Sequence, residues 1–474
     1  MKILHMGAEC YPVAKVGGLA DVIGALPKYQ KNAINDVSVV IPCYQTVFRN
    51  ENNFECVHSG KLKLGHFNFP YKVLMETSNI LGFELFLIEI PELFDRPNVY
   101  NYKDDIERFL SFQIAALDWI VEKKSLPDII HCHDHHTGLI PFMKKYCPKY
   151  EKLKNIPVII TIHNGLYQGI FTFNKLYYLP EFDLVHIKEL ERENCINSLA
   201  AAIKCADEIT TVSPSYLNEI NHSDNGLETL FQRMRYKSKG ILNGIDLDVW
   251  DSNKDPMIHA NYSIETSNEG KQKNKEELCM LFNMNPTKPL FCFIGRLYNE
   301  KGADLLPKVI SSLLNISEIN FLILGYGDAE IENELKQLLE VHNKNYHVNI
   351  GYNEELAHKT YAGSDFILIP SRIEPCGLNQ MYALRYGTIP IVRRTGGLKD
   401  TIIDFEDNGN GICHDQASVE AICDAIQRAI DLYSDKDVIN QIRIKGMNID
   451  HSWEHVSQEY IELYNLIIVK RHEN

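Results

Sequence analysis

The feature that most constrains this chain is a habit it repeats along its whole length. A short apolar, often β-branched run ends in a polar or glycine-bearing loop, and a helical pattern follows. The first half shows it at Val37–Pro42, Leu85–Ile90, Asp128–His133, Val158–His163 and Glu208–Ser213. The second half repeats it at Leu290–Gly295, Phe321–Gly325, Val348–Tyr352, Phe366–Pro370 and Ile389–Arg393. Such alternation predicts an α/β chain with parallel sheets and crossover helices. In sheets of that kind ligands bind beyond the carboxyl ends of the strands, so the loops after these runs are where chemistry is expected.

At 474 residues the chain is too long for a single core. A shift in composition falls over 251–286, and a boundary is expected near Asn243–Trp250. The stretch 261–275, rich in Asn, Ser, Glu and Lys without an apolar period, reads as an exposed excursion. From Trp453 the residues Val456, Tyr460, Leu463, Tyr464 and Ile467 keep a helical apolar spacing. The expected division is therefore 1–245, 246–452, and a helix over 453–474 that crosses back to the first domain.

One phrase occurs twice. Lys15-Val16-Gly17-Gly18-Leu19-Ala20-Asp21 is echoed by Arg394-Thr395-Gly396-Gly397-Leu398-Lys399-Asp400. A glycine turn entering a helix offers N–H groups and a positive dipole end to an anion, so the doubling suggests a phosphate-bearing ligand. Two helix-start turns with no ligand would read the same way.

Other loops carry more varied chemistry. Arg296 and Lys301 follow the run Leu290–Gly295, and two fixed cations there suit a diphosphate leaving group, though a solvated surface pair is the plain alternative. In Pro370-Ser371-Arg372-Ile373-Glu374-Pro375-Cys376-Gly377-Leu378 a rigid turn presents Glu374, which could accept hydrogen bonds from sugar hydroxyls or simply favour a helix start. His131-Cys132-His133-Asp134-His135-His136 invites a zinc reading, but a polar sugar-binding pocket suits it better. In Thr161-Ile162-His163-Asn164-Gly165-Leu166-Tyr167, His163 and Asn164 could bind hydroxyls. Asn243-Gly244 is first a turn signal. Gly325-Tyr326-Gly327-Asp328 lacks the third glycine of a dinucleotide fingerprint.

Composition removes several classes. The net charge of −15 argues against a nucleic-acid binder. The 12 cysteines are scattered with no Cys-x-x-Cys pair, as in reduced cytoplasmic proteins. No apolar run reaches the ~18 residues of a membrane span, and Met1 leads straight into strand-like sequence without a signal-peptide pattern.

Together and in this order, the segments Lys15–Val22, His133-Asp134, Thr161–Asn164, Val212-Ser213-Pro214, Leu242–Asp246, Arg296-Leu297, Lys301-Gly302, Pro370–Leu378 and Arg393–Leu398 resemble bacterial glycogen synthases and plant starch synthases. The resemblance implies a GT-B fold, two Rossmann-like doubly wound domains facing across a cleft, the first on the acceptor side and the second on the nucleotide-sugar side. It implies a nucleotide-sugar donor, usually ADP-glucose with UDP-glucose as the alternative, an α-1,4-glucan acceptor, and retention without cofactor or metal. Carried over to this chain, Lys15 and Gly18 approach the distal phosphate, with Gly17 and Asp21 as substrate-binding positions of the same motif. Arg296 and Lys301 neutralise the diphosphate, Glu374 holds glucosyl hydroxyls, and Cys376, Gly377 and Leu378 lie nearby with Thr395 and Gly396. Asp134 and His163 line the reacting face with Asn164 as a substrate-binding neighbour, Asn243 reaches the glucosyl 6-hydroxyl, and Tyr352 packs on the base. Two positions discriminate. Tyr382 stands where many retaining transferases of this fold carry a second Glu, as it does in glycogen and starch synthases. His135 stands where the family usually has Trp. Two other classes, a silent glucan-binding protein and a metallohydrolase built on the histidine cluster, would be separated by diphosphate release and by stoichiometric metal.

Overall fold

The computed structural model describes residues 1–33, 36–222, 225–315 and 318–472. The chain divides into two compact units, Ile245–Ser452 and the remainder, in which Met1–Gly244 is joined by the segment from Trp453.

The first unit is built on a nine-stranded sheet. In spatial order its strands are Ser238–Gly240, Glu208–Thr211, Val158–Ile162, Ile129–His133, Lys2–Met6, Asp36–Pro42, Glu84–Glu89, Phe67–Glu76 and Phe54–Leu64. All pair in parallel except the last two, a long hairpin that extends one edge antiparallel. The central parallel strands are buried on both faces, which is why they read as continuous apolar runs. Chain order reverses between Lys2–Met6 and Ile129–His133. The loops after those strands and after Val158–Ile162 hold the motifs singled out in the sequence.

The second unit has six parallel strands, Tyr346–Ile350, Asn320–Gly327, Leu290–Leu297, Phe366–Ile369, Ile389–Arg393 and Ile412–His414. Counted within the unit the order is 3-2-1-4-5-6, the arrangement of a Rossmann fold. Its switch point lies between Leu290–Leu297 and Phe366–Ile369. Gly325–Gly327, read as a glycine loop in the sequence, is the end of the strand Asn320–Gly327, and the Asp328 carboxylate beyond it caps the helix Ala329–His342.

The stretch 261–275 is not an exposed excursion. A helix spans Ser267–Leu281 and buries Gly270, Lys271, Asn274 and Lys275 together with Leu278 and Cys279. The Lys271 ammonium donates to the carbonyls of Tyr361, Ala362 and Tyr386 and to Thr388 Oγ1. Lys275 donates to Asp365 Oδ2 at 2.6 Å and to the Tyr433 hydroxyl at 2.9 Å. The inward face is polar and satisfied, so no apolar period betrays the helix.

A helix over Trp453–His472 returns the chain to the first unit. Trp453, Val456, Tyr460, Leu463, Tyr464 and Ile467 are all buried there, against Ile3, Val22, Leu26, Val37, Ile129 and Ile159.

Candidate active site

In the first unit the strand Lys2–Met6 runs into a loop that carries Glu9 and Lys15 and ends at the helix Gly18–Ala33. The main-chain N–H groups of Val16 and Gly17 both donate to Glu9 Oε2, at 2.5 and 3.0 Å, and the Tyr100 hydroxyl donates to Glu9 Oε1 at 2.6 Å. Two N–H groups of the first glycine turn are therefore occupied by an internal carboxylate rather than open to an outside anion. Burial pushes Glu9 above the usual carboxylate range, against the pull of its three donors. Lys15 is paired with Asp21 at 2.7 Å. A Cβ added at Gly17 would meet nothing within 4 Å, so packing does not demand glycine at that point.

Beyond Ile129–His133 the chain turns at Asp134, whose φ of 56° is unusual for a residue other than glycine. The turn aims its carboxylate at the neighbouring loop, where Oδ1 accepts from the N–H of His163 at 2.7 Å and of Asn164 at 3.4 Å. Burial raises the Asp134 carboxyl to about 7. The loops after two adjacent strands are thus locked together by one side chain. Asn243 is buried just beyond the strand Ser238–Gly240.

The histidine cluster is not a sugar pocket at its centre. His131 and His133 are completely buried. His5, His131 and His133 each place a nitrogen within 4.8 Å of the others, a spacing a cation could use. All six ring nitrogens already have hydrogen-bond partners, so a cation would have to break bonds at every ring. The His135 and His136 rings lie tilted against each other at 3.7 Å between centroids, and with Phe109, Phe171 and Ser198 they line a cavity of about 60 Å³.

In the second unit the switch point brings two loops together. Lys301 donates to both oxygens of Glu374, at 2.8 and 2.7 Å. The Ser371 hydroxyl donates to Glu374 Oε2 at 2.8 Å, and the N–H groups of Arg372 and Ile373 donate to the carbonyl of Glu300. Arg296 is paired with Glu300 at 2.5 Å. The Pro370–Leu378 loop is braced from behind by the second glycine pair. Gly397 N–H donates to the carbonyls of Glu374 and Pro375. A Cβ on Gly396 (φ 44°) would lie 2.0 Å from the Glu374 carbonyl, and one on Gly397 2.1 Å from that of Cys376. The two copies of the repeated phrase are thus built differently: one opens a helix of 16 residues beside free space, the other a helix of 6 pressed on the Glu374 loop. Tyr382 is no catalytic stand-in for a carboxylate here, because its ring stacks on Trp250 at 3.8 Å. Tyr352, beyond the strand Tyr346–Ile350, is 65% exposed, and Tyr298 and Tyr326 lie exposed at the ends of the two adjoining strands.

The structure thus gathers Asp134, His163 and Asn164 in one unit, and Arg296, Lys301, Glu374, Cys376, Gly377, Thr395 and Gly396 in the other. Sequence reasoning missed Glu9 and Ser371. Both were legible in principle, as an acid in the first post-strand loop and a hydroxyl three residues before Glu374.

The chain matches known proteins along almost its whole length. Residues 2–233 match the starch synthase catalytic domain family, and residues 276–444 match the glycosyl transferases group 1 family. The chain is 68% identical to a glycogen synthase of Flavobacterium johnsoniae, over 99% of this chain and 100% of that one. It is 38% identical to a glycogen synthase of Thermodesulfovibrio yellowstonii, over 99% of both. The chain belongs to the glycogen and starch synthase family. It is a glycosyltransferase of the glycogen synthase type. Among solved structures, the catalytic domain of starch synthase IV from Arabidopsis thaliana, bound to ADP and acarbose, superposes with a TM-score of 0.90 at 30% identity over 99% of both chains. A sucrose-phosphate synthase from Thermosynechococcus elongatus shares the fold, at a TM-score of 0.63 and 15% identity. Among the described residues no helix is long and apolar enough to cross a membrane.

Proposed function

We propose that this family member transfers glucose from ADP-glucose to the non-reducing end of an α-1,4-glucan, with retention at the anomeric carbon. The observation that carries the reading is the Lys301–Glu374 pair, which joins the loops on the two sides of the second unit's switch point, where such sheets bind nucleotides. The ADP held by the starch synthase IV structure supports adenine as the donor base.

In this reading Arg296 and Lys301 stabilise the diphosphate as negative charge grows on its leaving oxygen. Lys15 and Gly18 serve the distal phosphate, while the Gly17 N–H is held by Glu9 and Asp21 by its pair with Lys15. Glu374 accepts hydrogen bonds from glucosyl hydroxyls while it keeps Lys301 in place, with Cys376–Leu378, Thr395 and Gly396 beside it. Asp134, His163 and Asn164 face the reacting carbon, Asn243 takes the 6-hydroxyl and Tyr352 packs on the base. The bond from the anomeric carbon to the phosphate oxygen breaks, and the bond to the acceptor 4-oxygen forms on the same face. The acceptor's hydroxyl proton passes to the leaving phosphate, so no enzyme nucleophile is required.

The test is incorporation of labelled glucose into glycogen from ADP-glucose and UDP-glucose in competition. Preference for ADP-glucose and an α-linked product are expected. Preference for UDP-glucose overturns the donor assignment, and a β-linked product overturns retention.

A further inference from the structure

His163 is the outer end of a chain of buried imidazoles. Its Nε2 lies 3.0 Å from His133 Nδ1, His133 Nε2 lies 3.1 Å from His5 Nδ1, and His5 Nε2 lies 2.7 Å from Gln30 Oε1. A side branch runs from Gln30 Nε2 to the Tyr464 hydroxyl, on to His131 Nδ1, and from His131 Nε2 to Thr161 and Thr210. Burial keeps every ring of the main chain neutral, with His5 lowered to about 4, His163 to about 3 and His133 well below its ordinary value.

Neutral rings impose a sense on such a chain, because each has one N–H and one lone pair. The Gln30 carbonyl can only accept, so His5 donates from Nε2 and accepts at Nδ1. His133 must then donate from Nε2 and accept at Nδ1, and His163 must donate from Nε2. The lone pair of His163 is left on Nδ1. The side branch obeys the same sense, since the Gln30 amide donates to Tyr464 and leaves that hydroxyl's own proton for His131.

We infer that Gln30, His5 and His133 are positioning residues that fix His163 as its neutral Nε2–H tautomer, so that it presents an acceptor edge and no N–H to the reacting sugar. An acceptor edge suits a glucosyl hydroxyl and a carbon gaining positive charge, whereas an N–H or an imidazolium would oppose that charge. The benefit to catalysis rests on the placing of His163 at the reacting face proposed above. The tautomer itself does not.

The experiment has two arms. Nitrogen-15 spectra of the histidine-labelled protein, assigned with His163→Gln, are expected to show Nε2–H and an unprotonated Nδ1 at His163 near neutral pH. An Nδ1–H signal or an imidazolium there overturns the inference. In the kinetic arm His133→Leu removes the acceptor, while His133→Asn restores one through Oδ1. His133→Leu is expected to lower kcat at least about tenfold with little change in donor KM, given that a wrong tautomer at a catalytic imidazole can cost up to ~10⁴. His133→Asn is expected to recover most of that loss. Equal activities of the two variants overturn the positioning role. Should His133→Leu fail to fold, the nitrogen-15 spectrum of His133→Asn decides, because loss of the Nε2–H form at His163 in that variant also counts against it. A His163→Ala protein with unchanged kcat would instead remove His163 from the reacting face and leave the tautomer result standing.

Discussion

Lys301 meets both oxygens of Glu374, and Arg296 and Lys15 each hold a carboxylate of their own unit. On the proposed reading, a phosphate that reaches Arg296 competes with Glu300 for that cation, and one that reaches Lys15 competes with Asp21. On the same reading, Lys301→Ala leaves Glu374 with the Ser371 hydroxyl but no cation, and removes a positive charge from beside the growing negative one. A fall in kcat of ~10²–10³ is expected, larger than any rise in donor KM, and initial rates at saturating donor check it. An unaltered kcat would exclude Lys301 from the step. Glu9 is a subtler case, because it takes two N–H groups of the first glycine turn. Glu9→Gln keeps the shape of that side chain, and with its NH2 turned to the Tyr100 oxygen its carbonyl can still accept from Val16 and Gly17, but both bonds lose the strength a carboxylate's charge gives them. It is expected to raise donor KM several-fold with a smaller effect on kcat, which a donor titration at fixed glycogen reads directly.

Glycine pairs that look alike in sequence have different duties once their elements are assembled. At Gly397 a Cβ would fall 2.1 Å from the Cys376 carbonyl, backbone against backbone, with no flexible neighbour to give way. Gly397→Ala is expected to cost about 2–4 kcal/mol and to displace the Glu374 loop. Chemical denaturation of the whole chain checks the first part and donor KM the second. Gly17→Ala, which meets open space, is expected to leave stability within about 1 kcal/mol. The strands and the loops after them were readable because their alternation is a local signal. So were the charged residues at the ends of Leu290–Leu297 and Phe366–Ile369, which standard α/β geometry makes informative. The helix Ser267–Leu281 was not readable, because its buried face is made of Lys271, Asn274 and Lys275 with partners up to 158 residues away. Nor could His131 and His133 be told from surface ligands, since what buries them includes Tyr464, 333 positions later.

The two units should respond differently to acid. Six histidines of the first unit, His5, His131, His133, His135, His136 and His163, are held below their ordinary pKa by burial. On unfolding each regains a value near 6.5, so between that pH and the lower folded-state value the unfolded chain binds more protons. Stability is then fully present above about 6.5 and is lost as pH falls, by up to ~1.4 kcal/mol per pH unit for each histidine. The first unit's urea midpoint should drop steeply from pH 7 to 5, and a flat profile would contradict their burial. The trailing helix matters as much. Each of its six buried side chains contributes about 1.5–3 kcal/mol, a sum comparable to the whole stability of a typical domain. Deleting the chain from Trp453 is expected to leave the second unit folded and the first unit without cooperative unfolding, which calorimetry would resolve as one lost transition. The same helix sets the order of events at the ribosome. The first unit is translated first, yet the wall that completes its core emerges only after all of Ile245–Ser452 has been made. At ~5–20 residues per second that is a wait of roughly ten to fifty seconds, during which the nascent sheet has an uncovered apolar face of the kind that promotes aggregation.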